Sequence, residues 1–209
     1  MIKLHHLNKS RSKRIIWILE ELGIEYQLVP YQRDSVTRLA PPALKAINPL
    51  AKAPVIEDGD LVLSESGAIV DYLVSRYGAD SLAPPIQTPE HAHYIQWLHF
   101  AEGTAAYPLI TRYLLGVDDS QGCFLGDFAR KQMTQVLTYV NDELASKEYL
   151  LGKQFTGADV LNSFVFEKIS ESRGLSDYPH MESYLKRILA RPAAQKADLL
   201  EREHDQEEK

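Results

Sequence analysis

The sequence predicts a protein in two parts: an α/β half ordered β-α-β-α-β-β-α over residues 1–78, a connector over 79–88, and an all-helical bundle over 89–209. Three observations carry this. Before Gly78, short apolar and β-branched runs alternate with helical patterns, and the first two runs are far enough apart for a parallel, right-handed crossover. Within Lys52 to Ser66, Asp58-Gly59 separates two such runs, a strong signal for an antiparallel hairpin with positive φ at its turn. Beyond Pro84, Pro85 and Pro89 every apolar pattern has helical period.

Taken in order, Ile2 to Leu7 reads as an apolar strand, and Asn8-Lys9-Ser10-Arg11-Ser12 as the polar break after it. From Lys13 to Leu22, Ile15, Ile16, Trp17, Ile18, Leu19 and Leu22 cover more than one face, so this helix should be mostly buried, with Gly23 as its stop. Glu25 to Tyr31 is the second strand, and the β-α-β start resembles that of a thioredoxin-like domain. Pro41 to Ile47 makes a short helix with proline in its first turn, closed by Asn48-Pro49. Pro54 has no N–H to give a ladder and so opens the third strand at an end or edge. A cis Ala53–Pro54 bond would leave the Ala53 N–H and C=O facing outward, where they suit a bound peptide. After the hairpin, Glu65-Ser66 starts a helix through Ile69, Tyr72, Leu73 and Tyr77, with Gly78 as its C′ residue. Free N–H groups and the helix dipole there favour a carboxylate, and the Ser66 hydroxyl adds a donor; a plain helix cap is the bland alternative.

In the second half, Thr88-Pro89 starts a long helix carrying Tyr94, Trp97, Leu98, Ala101 and Ala105 and running to about Leu115, kinked by Pro108. Phe128, Met133, Val136, Leu137, Val140 and Leu144 form a second amphipathic helix, after a loop around Gly122. Thr156 and Asp159 are spaced as a capping box, and Val160, Leu161, Phe164 and Val165 bury the helix they start at the centre of the bundle. Tyr178-Pro179 begins another helix to Ala190, and Pro192 a short one. Glu201 to Lys209 is charged at nearly every position and reads as a frayed tail.

Composition narrows the function classes. Apolar residues at 44% and charged residues at 25% support a real core. A net charge of -6 with scattered Lys and Arg offers no basic stripe to nucleic acid. No apolar run approaches the ~20 residues of a membrane span, and Met1 leads straight into a strand rather than a signal peptide, so a cytoplasmic protein is expected. Cys123 is the only cysteine, which removes intramolecular disulfides and dithiol chemistry; it reads as a filler residue between Gly122 and Gly126. His5 and His6 point to opposite faces of a strand, and His91 and His93 are two apart on a helix, so neither pair can share a metal and no metal is expected.

Leu19-Glu20-Glu21-Leu22-Gly23, Asn48-Pro49, Lys52-Ala53-Pro54, Glu65-Ser66-Gly67-Ala68-Ile69-Val70-Asp71-Tyr72-Leu73 and Thr156-Gly157-Ala158-Asp159 occur in an order and spacing that resemble the cytosolic glutathione transferase superfamily, from Ile2 to about Leu200. Asn8 to Arg14 and Val29 to Asp34 look most like a fungal and bacterial subgroup of it. The resemblance implies that the α/β half holds glutathione as a co-substrate and that the helical half lines a pocket for the second substrate. By position, Glu65 and Ser66 would hold the γ-glutamyl end, the Ala53 main chain before Pro54 would pair with the cysteinyl amide, and Lys52 would meet the glycyl carboxylate. Members place a Tyr, Ser, Cys or Asn just after the first strand to serve the thiolate. Here Ser10 is the leading candidate, with Asn8, Lys9 and Ser12 as alternatives and Ser12 equally readable as the helix N-cap.

Tyr107, Ile110 and Tyr113 are candidates for the second-substrate pocket or, at that spacing, core. The resemblance also implies a homodimer, with Glu102 either reaching the partner's glutathione amine or simply solvated. The expected activity is transfer of alkyl or aryl groups to glutathione, a detoxification chemistry, or glutathione-dependent reduction of peroxides or disulfides. The alternative is a glutathione-binding regulatory or interaction protein with little turnover.

Overall fold

The computed structural model describes residues 1–78, 81–117, 120 and 122–205. Positions 79 and 80 of the expected connector and 206–209 of the expected tail lie outside the described residues. The chain divides into two compact units, Met1–Ser81 with Ala190–Lys209, and Leu82–Leu189.

The first unit begins with β1 (Ile2–Leu7), α1 (Lys13–Glu21), β2 (Tyr26–Tyr31), α2 (Pro42–Ile47), β3 (Val55–Asp58), β4 (Leu61–Ser64) and α3 (Ser66–Tyr77), the thioredoxin-like order that the sequence predicts. The strands form one mixed sheet in the order β2-β1-β3-β4, with β1 parallel to β2 and antiparallel to β3. Leu4 and Ile56, opposite each other in the register, are fully buried with Ile15, Ile16, Ile18 and Leu19 of α1 and Ile69, Val70 and Leu73 of α3. Each such side chain contributes about 1.5–3 kcal/mol by leaving water. The hairpin turn is Gly59-Asp60 rather than Asp58-Gly59, because Asp58 still pairs with Leu61. Gly59, at φ 62°, takes the first central position, where only a residue free of Cβ is comfortable.

Gly78 differs from its expected role. Its φ is −140°, outside the left-handed region of a C′ glycine. The need for glycine comes instead from packing, because a Cβ at this position would collide with Cδ2 of Leu22.

The second unit holds α4 (Pro89–Phe100), a π turn (Ala101–Ala105), α5 (Ala106–Val117), α6 (Phe124–Glu143), α7 (Gly157–Arg173) and α8 (Pro179–Leu189). The Thr88 hydroxyl accepts the His91 N–H, and Pro89 occupies the first turn, as the sequence predicts. The break expected at Pro108 takes the form of the π turn just before it, where the Ala106 N–H bonds the Ala101 carbonyl five residues back. A proline ring crowds the carbonyl four residues upstream, here that of Thr104, and the wider turn lies across that position. Helix α7 has ten of its 17 residues buried, among them Val160, Leu161, Val165 and Phe166, and Asn162 donates to the Trp97 carbonyl of α4 at 3.0 Å. Cys123 is exposed at the N-cap of α6, and Gly126 already belongs to that helix.

Helix α9 (Pro192–His204) corrects two expectations. The sequence assigns 89–209 to the helical half, yet α9 packs on α1 of the first unit. The tail expected to fray from Glu201 is helical to His204, and Asp205 is buried. Specific pairs account for both. Arg191 grips Glu21 with two bonds at 2.6 and 2.8 Å, Lys196 meets Glu20 at 2.9 Å, and Lys13 meets Asp198 at 3.2 Å, while Ala197 is fully buried.

Candidate functional site

The register brings three separate sequence stretches to one end of the sheet. His5 pairs with Val55 and Val55 with Ser64, so the turn after β1, the Ala53-Pro54 lead into β3 and the Glu65-Ser66 start of α3 all leave the sheet at the same end. The chain is also conformationally unusual here. Lys9, Ala51 and Glu65 have φ of 53°, 51° and 70°, a region that side chains with a Cβ seldom adopt outside over-determined sites.

In the turn after β1, Ser12 is fully buried and works backwards onto the strand rather than capping the helix. Its Oγ accepts the Leu7 N–H at 3.2 Å and lies 2.8 Å from His6 Nδ1 and 2.7 Å from Ser10 Oγ. The Ser10 hydroxyl, 7% exposed, also accepts the Ser12 N–H at 3.2 Å. His6, on the same strand face as Ile2 and Leu4, has no exposed surface. Burial pushes its imidazole down to about 4, helped by His204 and opposed by Asp205, so it is neutral near pH 7. Asn8 is equally buried; its carbonyl oxygen Oδ1 accepts the Arg33 N–H at 2.8 Å and its Nδ2 donates to Asp205 at 3.0 Å.

At the start of α3, Ser66 is 4% exposed and does not cap its helix. Its Oγ instead accepts from Arg14 Nη2 at 2.8 Å. Arg14 is 1% exposed, a buried cation near the start of α1. An oxygen that accepts from a guanidinium must turn its own proton elsewhere, so Ser66 presents a donor. Sequence reading passed over Arg14. Its signal was an arginine at the start of a helix whose next five residues, Ile15 to Leu19, are all apolar. Glu65, beside it, is exposed.

The Ala53–Pro54 bond is cis, and among the described residues nothing bonds the Ala53 N–H or C=O. Asn48 shapes the approach, donating to the Lys52 carbonyl at 3.0 Å and accepting the Leu50 N–H at 3.1 Å. Lys52 is exposed. Tyr107, Ile110 and Tyr113 belong to the second unit, on the outer face of α5 at 48%, 40% and 67% exposure, so they are not core there. Glu102 is half-buried in the π turn. Among the described residues no cluster of His, Cys, Asp and Glu could hold a metal ion, and no helix is long and apolar enough to cross a membrane.

The family model for the Glutathione S-transferase, N-terminal domain matches residues 1–75, and that for the C-terminal domain matches residues 125–192. Glutathione S-transferase 3 of Schizosaccharomyces pombe is 32% identical, with 92% of this chain and 85% of the relative covered. A crystal structure of a glutathione S-transferase from Actinobacillus pleuropneumoniae, 35% identical, shares the fold with a TM-score of 0.87 over 96% of this chain and 92% of its own. Elongation factor 1-gamma of Prunus avium is 29% identical over 90% of this chain, which spans 45% of that protein.

Proposed function

This chain belongs to the glutathione transferase superfamily, and we propose that it binds glutathione at the shared end of the sheet and activates its thiol as thiolate, for attack on an electrophilic carbon or for reduction of a peroxide or disulfide. The observation that carries the reading is the convergence there of a main chain at Ala53 that is unbonded among the described residues and a donor hydroxyl at Ser66 backed by the buried Arg14. A peptide amide suits the first. A carboxylate suits the second, which adds the N-terminal end of the α3 dipole. In this reading Lys52 meets the glycyl carboxylate by charge, and Glu65 the γ-glutamyl amine.

Ser10 holds the thiolate in this proposal. Its oxygen takes the Ser12 N–H and lies 2.7 Å from Ser12 Oγ, and its own proton turned toward a bound sulfur would supply one hydrogen bond to the anion. Free cysteine titrates near ~8.5, and each ~1.4 kcal/mol of preferential thiolate stabilisation lowers that by about one unit. Ser10→Ala should therefore raise the pKa of bound glutathione, read from the thiolate absorbance, while binding changes little. An unshifted titration moves the role to Asn8, Lys9 or Ser12.

The competing reading, a glutathione-binding regulatory or interaction protein with little turnover, has two observations in its favour: the likeness to Elongation factor 1-gamma and the inward engagement of the Ser10 hydroxyl. Steady-state assays with glutathione against aryl halides, peroxides and mixed disulfides separate the two. Tight binding with no turnover on any of them selects the second.

Tyr107, Ile110 and Tyr113, exposed on α5, are proposed to meet an apolar second substrate. A homodimer is proposed as the assembly, with Glu102 reaching the partner's glutathione amine. Sedimentation of the full chain at micromolar concentration should show a species of twice the mass, and a monomer there defeats the assembly.

A further inference from the structure

Helix α9 reaches back across the sequence to hold the turn that follows β1. Glu201 Oε1 accepts the Lys9 N–H at 2.5 Å, at a residue whose φ of 53° an L side chain seldom adopts unaided. Glu201 Oε2 sits 3.4 Å from Nε2 of the buried His6. Asp205, 2% exposed, places Oδ1 on Asn8 Nδ2 at 3.0 Å and Oδ2 on Lys9 Nζ at 3.1 Å. Gln32 donates to the His204 carbonyl between them. The helix that carries these groups is itself fastened to α1 by the Arg191–Glu21 and Lys196–Glu20 pairs.

We infer that Glu201 and Asp205 are positioning residues for thiol activation, setting the main-chain geometry of residues 8–12 and hence the direction of the Ser10 hydroxyl. This rests on the glutathione reading above. Charge cannot be their contribution, since two carboxylates near an anion raise its pKa, and freeing the Lys9 ammonium would lower it. Geometry and charge therefore predict opposite signs for the same variants, whatever the distance to the sulfur.

Glu201→Ala and Asp205→Ala remove the oxygens that hold the turn, and the double variant combines them in the full-length chain. Two readouts are taken, amide hydrogen exchange at residues 8–12 and the thiolate titration of bound glutathione. The expected result is exchange at least about tenfold faster at 8–12, with α3 and α7 unchanged, together with a rise of about one pH unit in the thiol pKa. A fall in that pKa would show that only charge was removed, and overturns the proposal; so does an unchanged exchange rate, or faster exchange with no shift of the thiol. A parent protein that shows no thiolate band overturns the glutathione reading instead. Exchange at 8–12 then reports on the clamp alone, faster in the double variant if α9 holds the turn and unchanged if it does not.

Discussion

Replacing Asp159 with alanine should cost the fold about 3–5 kcal/mol, the size expected when a buried multi-donor acceptor is deleted. The carboxylate has no exposed surface and collects four donors: the Leu150 N–H and the Tyr184 hydroxyl on Oδ1, each at 2.9 Å, and the Thr156 N–H and hydroxyl on Oδ2 at 2.8 and 3.1 Å. It thus joins the start of α7 to α8 and to the loop before α7. Alanine leaves those donors buried around a void, and denaturant unfolding should show a lower midpoint. A loss below about 1 kcal/mol would mean that water replaces the carboxylate at little cost. Burial pushes this carboxyl up to about 6 against the pull of its donors. With the folded value raised, the contribution of the protonated form is complete below the unfolded value of about 3.9, is lost as pH rises to about 6, and is flat above. The stability difference between parent and Asp159→Asn should follow that window.

Ser66→Ala should weaken glutathione binding by roughly ten- to a hundredfold, the equivalent of ~1.5–3 kcal/mol for a hydrogen bond to a charged group. The domain should stay folded, because the hydroxyl caps nothing and the helix keeps its Ile69 N–H to Glu65 carbonyl bond at 2.9 Å. Some stability, about 1.5–3 kcal/mol, goes with the lost acceptor for the buried Arg14 guanidinium. Calorimetry decides: a dissociation constant equal to the parent's removes Ser66 from the site, and with it the carboxylate-binding role of the α3 terminus.

Much of this molecule was legible in its residues because the signals are local. Alternating and helical periods depend only on backbone geometry, and so β1, α1, the hairpin and α7 could be placed without tertiary information. The Thr156–Asp159 box closes within one helical turn, and its two partners were readable from spacing alone. Ala53-Pro54 and Glu65-Ser66 were readable as candidates because each is tied to the start of a strand or helix, whereas Lys52 and the grouping of these residues into one site came only from the resemblance to the family.

Other features needed the tertiary structure, because their partners are distant in sequence and chosen by packing. That Ser12 turns back to Leu7 and His6 rather than capping α1, and that Ser66 answers to Arg14, follows from which face of each element is buried. A charged run such as the one from Glu201 onward has no period that distinguishes a solvated tail from a buried clamp. Only the docking of α9 on α1 brings Glu201 and Asp205 to Lys9 and Asn8, nearly two hundred residues away. The sequence alone determined the elements and the chemical types available at their ends, since these depend on neighbours within a turn or two. Which hydroxyl faces which acceptor was decided by the tertiary structure, because a hydrogen bond a few ångströms long depends on the summed placement of every element between its partners.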